Sequence, residues 1–221
     1  MSPAEDTGPD GASNTSGGHD AADLPPAVDD AIAAAADAIR EGDAVVYPTE
    51  TVYGLGADAT DADAISRVFE IKGRPRSNPL SVAFTDRGMA EQYVTPTDRE
   101  QAFMERFLPG PVTVLVSRNG AFPDVLTADR DTVGLRVPDS AVARELVRRA
   151  GPITATSANE SGSPSVRRVD SLAAGVREAV GAVIDTGETP GTESTVVDVE
   201  KSEIHRRGAL ADEIEDWLAE H

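Results

Sequence analysis

The sequence predicts an α/β domain, because short apolar runs typical of buried strands alternate along the chain with segments of helical periodicity. The chain has 221 residues, which is enough to bury a substantial core within one domain. Residues 1–24 are rich in Gly, Ser, Asp and Ala and almost lack large apolar side chains. We therefore predict a disordered acidic tail over residues 1–24 and a single domain over residues 25–221.

Two helices show how the elements are assigned. Pro25 and Pro26 open a helix whose apolar residues recur at spacings of four and three up to Arg40. Thr97 and Glu100 have the spacing of a capping box, which predicts a helix start there. The predicted helices are 25–40, 62–71, 87–93, 97–107, 140–150, 169–180 and 210–220. The predicted strands are 44–47, 80–84, 112–116, 132–137, 153–155, 183–184, 196–199 and 203–206.

The charge balance is strongly acidic, with 39 Asp and Glu against 20 Lys and Arg and a net charge of −19. Lys72 and Lys201 are the only lysines, and this composition resembles that of proteins adapted to high salt. A broad nucleic-acid-binding face is disfavoured, because such a face must be basic. The absence of cysteine excludes disulfides, a thiol nucleophile and cysteine-ligated metal. No apolar run predicts a membrane span and no signal-peptide pattern is present, so we expect a cytoplasmic protein.

Three polar stretches stand out against this background. The segment 72–80, Lys-Gly-Arg-Pro-Arg-Ser-Asn-Pro-Leu, concentrates cations where two prolines prevent a helix, and it suits a phosphate-rich ligand. The segment 47–56 follows a buried strand with hydroxyl residues and with glycines that permit close approach of a ligand. The segment 157–165 follows another apolar run with small hydroxyls and an amide.

Histidine-centred catalysis is disfavoured. Outside the tail the histidines are His205, which we interpret as structural, and the terminal His221. Neither a P-loop nor a nucleophile elbow is present. Arginine and lysine charges, hydroxyls and backbone amides remain, and this inventory suits nucleotidyl transfer, which depends on positioning and charge neutralisation.

Five motifs in this order resemble the YrdC family of threonylcarbamoyl-AMP synthases: P-T-E-T-V-Y-G-L-G, K-G-R-P-x-x-N-P-L, P-G-P-x-T, S-A-N-x-S-G and E-S-T-V-V-D. The resemblance runs from about Val28 to about Gly208 and implies a twisted mixed sheet, flanked by helices, with a large concave cationic cleft. It implies condensation of L-threonine, bicarbonate and ATP, with expected Mg²⁺, into threonylcarbamoyl-AMP and pyrophosphate. The product would supply the machinery that transfers threonylcarbamoyl to adenosine in tRNA.

The resemblance also implies residue roles. Lys72 and Arg74 are the expected catalytic cations, with Lys72 between the threonine carbamate and the phosphates. The residues expected to face threonine are Thr51, Arg136, Ala155 and Ser194. The residues expected to face ATP are Arg74, Asn78, Thr132, Ser157, Asn159, Ser165 and Arg207. We take Arg207 rather than Arg206 because it directly precedes Gly208.

Several alternatives stay open. Arg136 could be a surface residue beside Pro138, and Thr132 and Ser194 could be strand-edge hydroxyls. Ala83 stands where many relatives carry a histidine that contacts threonine, and the chain resembles the short form of the family, without an additional C-terminal domain. An RNA-binding module is the main alternative function. A carbamoyl-adenylate domain of a hydrogenase-maturation carbamoyltransferase is a third, although its zinc-finger and acylphosphatase segments are missing.

Overall fold

Nine strands form one mixed sheet in the computed structural model, which describes residues 24–221. The α/β class is confirmed, whereas the tail predicted for residues 1–24 lies, except for Leu24, outside the described residues. The strands are β1 (Val45–Tyr47), β2 (Gly54–Gly56), β3 (Ser81–Ala83), β4 (Val112–Ser117), β5 (Thr132–Arg136), β6 (Ile153–Ser157), β7 (Ala182–Val183), β8 (Thr195–Asp198) and β9 (Glu203–Arg206). Their order across the sheet is β7-β1-β2-β6-β3-β5-β4-β8-β9.

The helices lie between the strands in the chain. They are α1 (Pro26–Arg40), α2 (Ala62–Lys72), α3 (Arg87–Ala90), α4 (Asp98–Phe107), α5 (Asp124–Thr127), α6 (Ala141–Ala150), α7 (Ala174–Ala179) and α8 (Ala211–Glu220). The capping box predicted at Thr97 and Glu100 is present and begins α4. The helix predicted over residues 169–180 is divided, because a 3-10 turn at Val169–Ser171 precedes α7.

The cationic segment 72–80 begins at the last residue of helix α2, Lys72. The helix begins at Asp61, whose side chain accepts hydrogen bonds from the backbone N–H groups of Asp63 and Ala64. It ends at Gly73, which is in the left-handed conformation with φ of 56°. This ending turns the chain sharply between Lys72 and Arg74, so these two cations leave the helix end in different directions.

Strand β2 was not predicted, and its glycines have a packing role. β1 and β2 are antiparallel, with Tyr47 opposite Gly54. A Cβ atom on Gly54 would lie 2.7 Å from Cζ of Tyr47, and one on Gly56 would lie 2.9 Å from Cε1 of the same ring. The glycines that suggested close approach of a ligand therefore make room first for the Tyr47 ring.

The two faces of the central sheet differ in character. On one face, Val82, Leu135 and Val114 lie opposite one another on three adjacent strands and belong to the larger core cluster. On the other face, α1 and α6 pack at one end of the sheet around a second cluster, which includes Ala83 and Tyr47. Beyond that end, the second face is open.

The edge pair β8–β9 is irregular. Val196 is opposite Arg206, but the next residue of β8, Val197, is opposite Ile204, so His205 has no partner of its own. This is a β-bulge, in which one extra residue on β9 changes the direction of the neighbouring side chains.

Candidate active site

The open face of the sheet forms the floor of a cleft of about 510 Å³. Residues two apart on the same strand contribute to it, such as Thr132, Gly134 and Arg136 on β5, because alternate residues of a strand face the same way. Gly134 has no room for a side chain, since a Cβ there would lie 2.5 Å from Oγ of Ser81 and 3.0 Å from Cγ2 of Thr113. The glycine thus lets three neighbouring strands form a continuous floor.

The cleft brings together eight of the twelve residues that the sequence singles out. Its lining includes the four expected at threonine, Thr51, Arg136, Ala155 and Ser194, and four of those expected at ATP, Arg74, Asn78, Thr132 and Ser157. Lys72, Asn159, Ser165 and Arg207 are not among the lining residues.

Arg136 is held at one end of the cleft by a polar network. Its Nη2 donates to Oε1 of Glu50 at 2.8 Å and to Oγ1 of Thr51 at 2.7 Å. Thr51 also shares a hydrogen bond of 2.8 Å with the hydroxyl of Thr49, which is itself buried. Arg136 is therefore not the surface residue that the sequence left open. Its Nε is buried without a partner, so the guanidinium keeps hydrogen-bonding capacity.

Tyr47 borders the same end of the cleft. The residue is only 2% exposed, and burial raises the pKa of its hydroxyl to about 12, against a smaller lowering by the charge of Arg136. The hydroxyl therefore stays neutral at physiological pH. Ala83 also lines this end, so the described residues place a methyl group where the histidine of other relatives is expected.

Arg74 is fixed by its own loop. Its Nε donates to the carbonyl oxygen of Asn78 at 3.0 Å, and its Nη2 donates to that of Pro79 at 3.1 Å. Burial, and then the charge of Arg206, lower the pKa of Arg74 from its usual value. These contacts aim a preorganised cation into the cleft, as the sequence predicts for the segment 72–80.

The structure corrects the position predicted for Lys72. The residue is 3% exposed, and its Nζ donates to the carbonyl oxygens of Ser157 at 2.5 Å and of Asn159 at 2.6 Å. Burial, with a further contribution from Arg74, lowers the pKa of the ammonium to about 8. Lys72 therefore ties the end of α2 to the end of β6 and the residues that follow it, and it is not among the residues that line the cleft.

Asn159 and Ser165 lie in the loop after β6, at the margin of the cleft. Asn159 Nδ2 donates to the carbonyl oxygens of Glu160 and Ser163, which closes the loop on itself and leaves its Oδ1 buried without a partner. The Ser165 hydroxyl donates to the carboxylate of Glu193. Neither side chain is among the residues that line the cleft.

The second correction concerns the arginine pair at the end of β9, where Arg206 is the last residue of the strand and Arg207 follows it. Arg207 points to the outside, where it forms ion pairs with Asp212 and Glu215 of α8. Arg206 lines the cleft, with its Nη2 donating to Oγ of Ser194 at 2.8 Å and its Nε donating to the Ser194 carbonyl oxygen at 3.0 Å. The spacing R-x-G, counted back from Gly208, also selects Arg206, so the alternative in the sequence is the one that faces the cleft.

Sequence reasoning missed other lining residues. His205 lines the cleft beside Arg206, because the bulge on β9 turns two consecutive residues toward the same side. Arg130 and Glu193 also line the cleft. Arg130 lies two residues before Thr132, and Glu193 precedes Ser194 in the E-S-T motif, so closeness to predicted residues is the signal that could have found both.

The charges of the lining favour an anionic ligand. The lining contains one carboxylate, that of Glu193, and four arginines, which are Arg74, Arg130, Arg136 and Arg206. Guanidinium groups bind carboxylates and phosphates in bidentate fashion. Among residues 24–221, no group of three or more His, Cys, Asp and Glu could hold a metal ion, and no helix is long and apolar enough to cross a membrane. The four guanidinium groups suit a ligand that carries more than one negative charge.

Comparison with known proteins identifies the family of the chain. The sequence profile of the Sua5_yciO_yrdC family, described as "Telomere recombination", matches residues 37–208. Over 173 residues the chain is 41% identical to a threonylcarbamoyl-AMP synthase of Bacillus subtilis, covering 76% of this chain and 50% of that protein. It therefore spans half the length of that relative. A threonylcarbamoyl-AMP synthase of Shigella boydii is 35% identical over 185 residues, 81% of this chain and 96% of that one.

A solved structure is similar to this chain in both fold and sequence. The crystal structure of Sua5 from Pyrococcus abyssi in complex with L-threonine aligns with a TM-score of 0.76 and 40% identity. The alignment covers 84% of this chain and 56% of that one. Since the family profile matches well over half of the sequence, from residue 37 to residue 208, the chain belongs to the Sua5/YciO/YrdC family.

Proposed function

We propose that this protein is a nucleotidyltransferase that makes L-threonylcarbamoyl-AMP and pyrophosphate from L-threonine, bicarbonate and ATP. The observation that carries the proposal is the convergence of two predicted sets of residues in one cleft. The four expected at threonine and four of those expected at ATP line the same cavity. The names of the synthase relatives and the threonine complex of the Pyrococcus protein support it.

The two ends of the cleft would have different tasks. Arg136, held by Glu50 and Thr51, would bind the carboxylate of threonine through the nitrogens that the network leaves free. Arg74 and Arg206 would bind the phosphates, since both guanidinium groups are held by backbone carbonyl oxygens and face the cleft. The amine and the α-phosphorus would then meet over the floor formed by β6, β3 and β5.

The reaction needs no protein nucleophile. Bicarbonate condenses with the threonine amine to a carbamate and releases water, and a carbamate oxygen then attacks the α-phosphorus while pyrophosphate leaves. The protein would supply positioning and charge neutralisation, because two anions must approach each other. A preorganised cation or donor of this kind is typically worth about 10²–10³ in rate.

Magnesium would enter with the nucleotide as a substrate ion. No cluster of three or more potential ligands occurs among residues 24–221, so the residues described do not form a resident site. Phosphate oxygens and water commonly supply most Mg²⁺ ligands in nucleotide enzymes. The threonylcarbamoyl adenylate would then pass to the machinery that modifies tRNA.

Pyrophosphate release from ATP tests the proposal. We expect release only when ATP, threonine and bicarbonate are all present, together with an adenylate of the mass of threonylcarbamoyl-AMP. Arg136→Ala should lose threonine-dependent release. Arg144→Ala is the control and should retain it, because Arg144 lies on α6 and its guanidinium is paired with Asp139. Release that does not depend on threonine or bicarbonate, or no release at all, would refute the proposal.

A further inference from the structure

Glu193 is the only carboxylate among the residues that line the cleft. It faces the side where Arg74 and Arg206 project, and its charge opposes the binding of any phosphate there. A negative side chain in a cleft for anions calls for a physical reason.

The contacts of Glu193 supply that reason. One carboxylate oxygen accepts a hydrogen bond from the Ser165 hydroxyl, and the other lies 3.4 Å from Nη1 of Arg206. Ser165 is a residue that the family resemblance assigns to ATP, and Arg206 is the cleft-facing member of the arginine pair. The carboxylate therefore occupies two donors that a phosphate group would use.

The backbone of Glu193 is fixed, but its side chain is not enclosed. The Glu193 carbonyl oxygen accepts from the N–H of Ala209 at 2.9 Å, and Gly208 lies so close to that oxygen that a Cβ there would collide with it. The side chain, in contrast, is 39% exposed. The carboxylate can therefore swing away from Arg206 and Ser165 without moving the main chain.

We propose that Glu193 is a positioning residue that exchanges with phosphate. It holds Arg206 and Ser165 in place in the empty cleft, yields them to the polyphosphate of the nucleotide, and recovers them when pyrophosphate leaves. Naming pyrophosphate as the departing anion rests on the proposed function. The exchange lowers the affinity of the cleft for polyphosphate and speeds release of the product.

Pyrophosphate binding to the free protein tests the exchange. Glu193→Gln keeps the shape of the side chain and an acceptor for the Ser165 hydroxyl but removes the charge. We expect calorimetry at low ionic strength to show pyrophosphate bound about fivefold more tightly than by the unmodified protein, because a partly exposed ion pair is worth up to about 1 kcal/mol. Glu193→Asp, which keeps the charge, should bind within about twofold of the unmodified protein.

Glu215→Gln is the matched control. It changes the net charge equally and also removes the partner of an arginine, Arg207, but outside the cleft. Its pyrophosphate affinity should not change. In steady state, Glu193→Gln should lower both kcat and KM for ATP and leave KM for threonine unaltered, a pattern that a merely structural role would not produce.

Unchanged or weaker pyrophosphate binding by Glu193→Gln would overturn the inference, as would equal tightening in Glu215→Gln. Failure of either protein to bind pyrophosphate would overturn it too. The proposed function fails separately: tighter pyrophosphate binding by Glu193→Gln would uphold the exchange even if pyrophosphate release from ATP did not depend on threonine.

Discussion

The side chains of Arg206 and Arg207 leave the edge of the sheet in opposite directions. One enters the cleft and contacts Ser194, whereas the other forms ion pairs with α8. Composition cannot separate them, because the two side chains are identical and differ only in the face to which they point, whereas the spacing R-x-G before Gly208 selects Arg206.

Substituting each arginine by alanine tests this division. Arg206→Ala should lose about 10² in kcat/KM for ATP, because a preorganised cation is removed from the phosphate end. Arg207→Ala should keep activity within a few-fold and leave the melting temperature nearly unchanged, since its ion pairs are exposed and screened by solvent. Pyrophosphate release and thermal melting measure the two effects. An equal loss of activity in both variants would contradict the assignment.

Lys72 gives a prediction about pH. Its pKa is lowered to about 8 in the folded protein, mainly by burial, so between pH 8 and 10.5 the unfolded chain binds more protons at this group. Raising the pH through that window should therefore favour the folded state. The unfolding free energy of the unmodified protein, relative to Lys72→Met, should rise by no more than about 3 kcal/mol across the window. Tyr47 and Tyr53, whose pKa values are raised, titrate in both proteins and cancel in the difference. A constant difference would show that Lys72 is not buried as described.

At the scale of elements, strong local patterns in the sequence predicted most of the helices and strands, whereas short elements were not predicted. The capping box at Thr97 is a signal within a few residues, so it is readable in the sequence. Strand β2 is three residues, Gly-Leu-Gly, and exists because Tyr47 of β1 packs over it. Lys72 was misplaced for a similar reason, since only the tertiary structure shows that the carbonyl oxygens after β6 surround it.

The pairing of β1 with β2 can be tested at Gly54. Gly54→Ala would place a Cβ 2.7 Å from the buried Tyr47 ring, and we expect it to destabilise the protein by about 1–3 kcal/mol. Gly175→Ala is the control, because a Cβ there meets no atom closer than 3.8 Å and alanine favours a helix by up to about 1 kcal/mol. Denaturant unfolding should show opposite signs for the two changes. A neutral Gly54→Ala would mean that the ring has room to move.

At the scale of the whole molecule, charge acts in two directions. The net charge of −19 repels the chain from itself, whereas the lining of the cleft carries four arginines. Added salt screens both interactions. The acidic surface and the arginine-lined cleft should therefore respond to salt with opposite signs.

We expect the melting temperature to rise as KCl increases from about 0.1 to 2 M and the affinity for pyrophosphate to fall over the same range. Calorimetry measures both quantities on the same protein. Sucrose at matched osmolality is the control, because it is excluded from protein surfaces but does not screen charge. A similar melting increase in sucrose, or a constant melting temperature in KCl, would argue against self-repulsion.

The bulge at His205 interrupts the alternation of side chains along β9. In a regular strand, residues two apart share a face, yet Ile204 packs against the core while Arg206 enters the cleft. Ile204 and Arg206 oppose consecutive residues of β8, so they already behave as neighbours with one additional residue between them. Deleting His205 would make them true neighbours of a regular strand, and both the apolar anchor and the cation would keep their faces. The bulge therefore adds one side chain to the lining of the cleft, that of His205, without exchanging the inside and the outside of the strand.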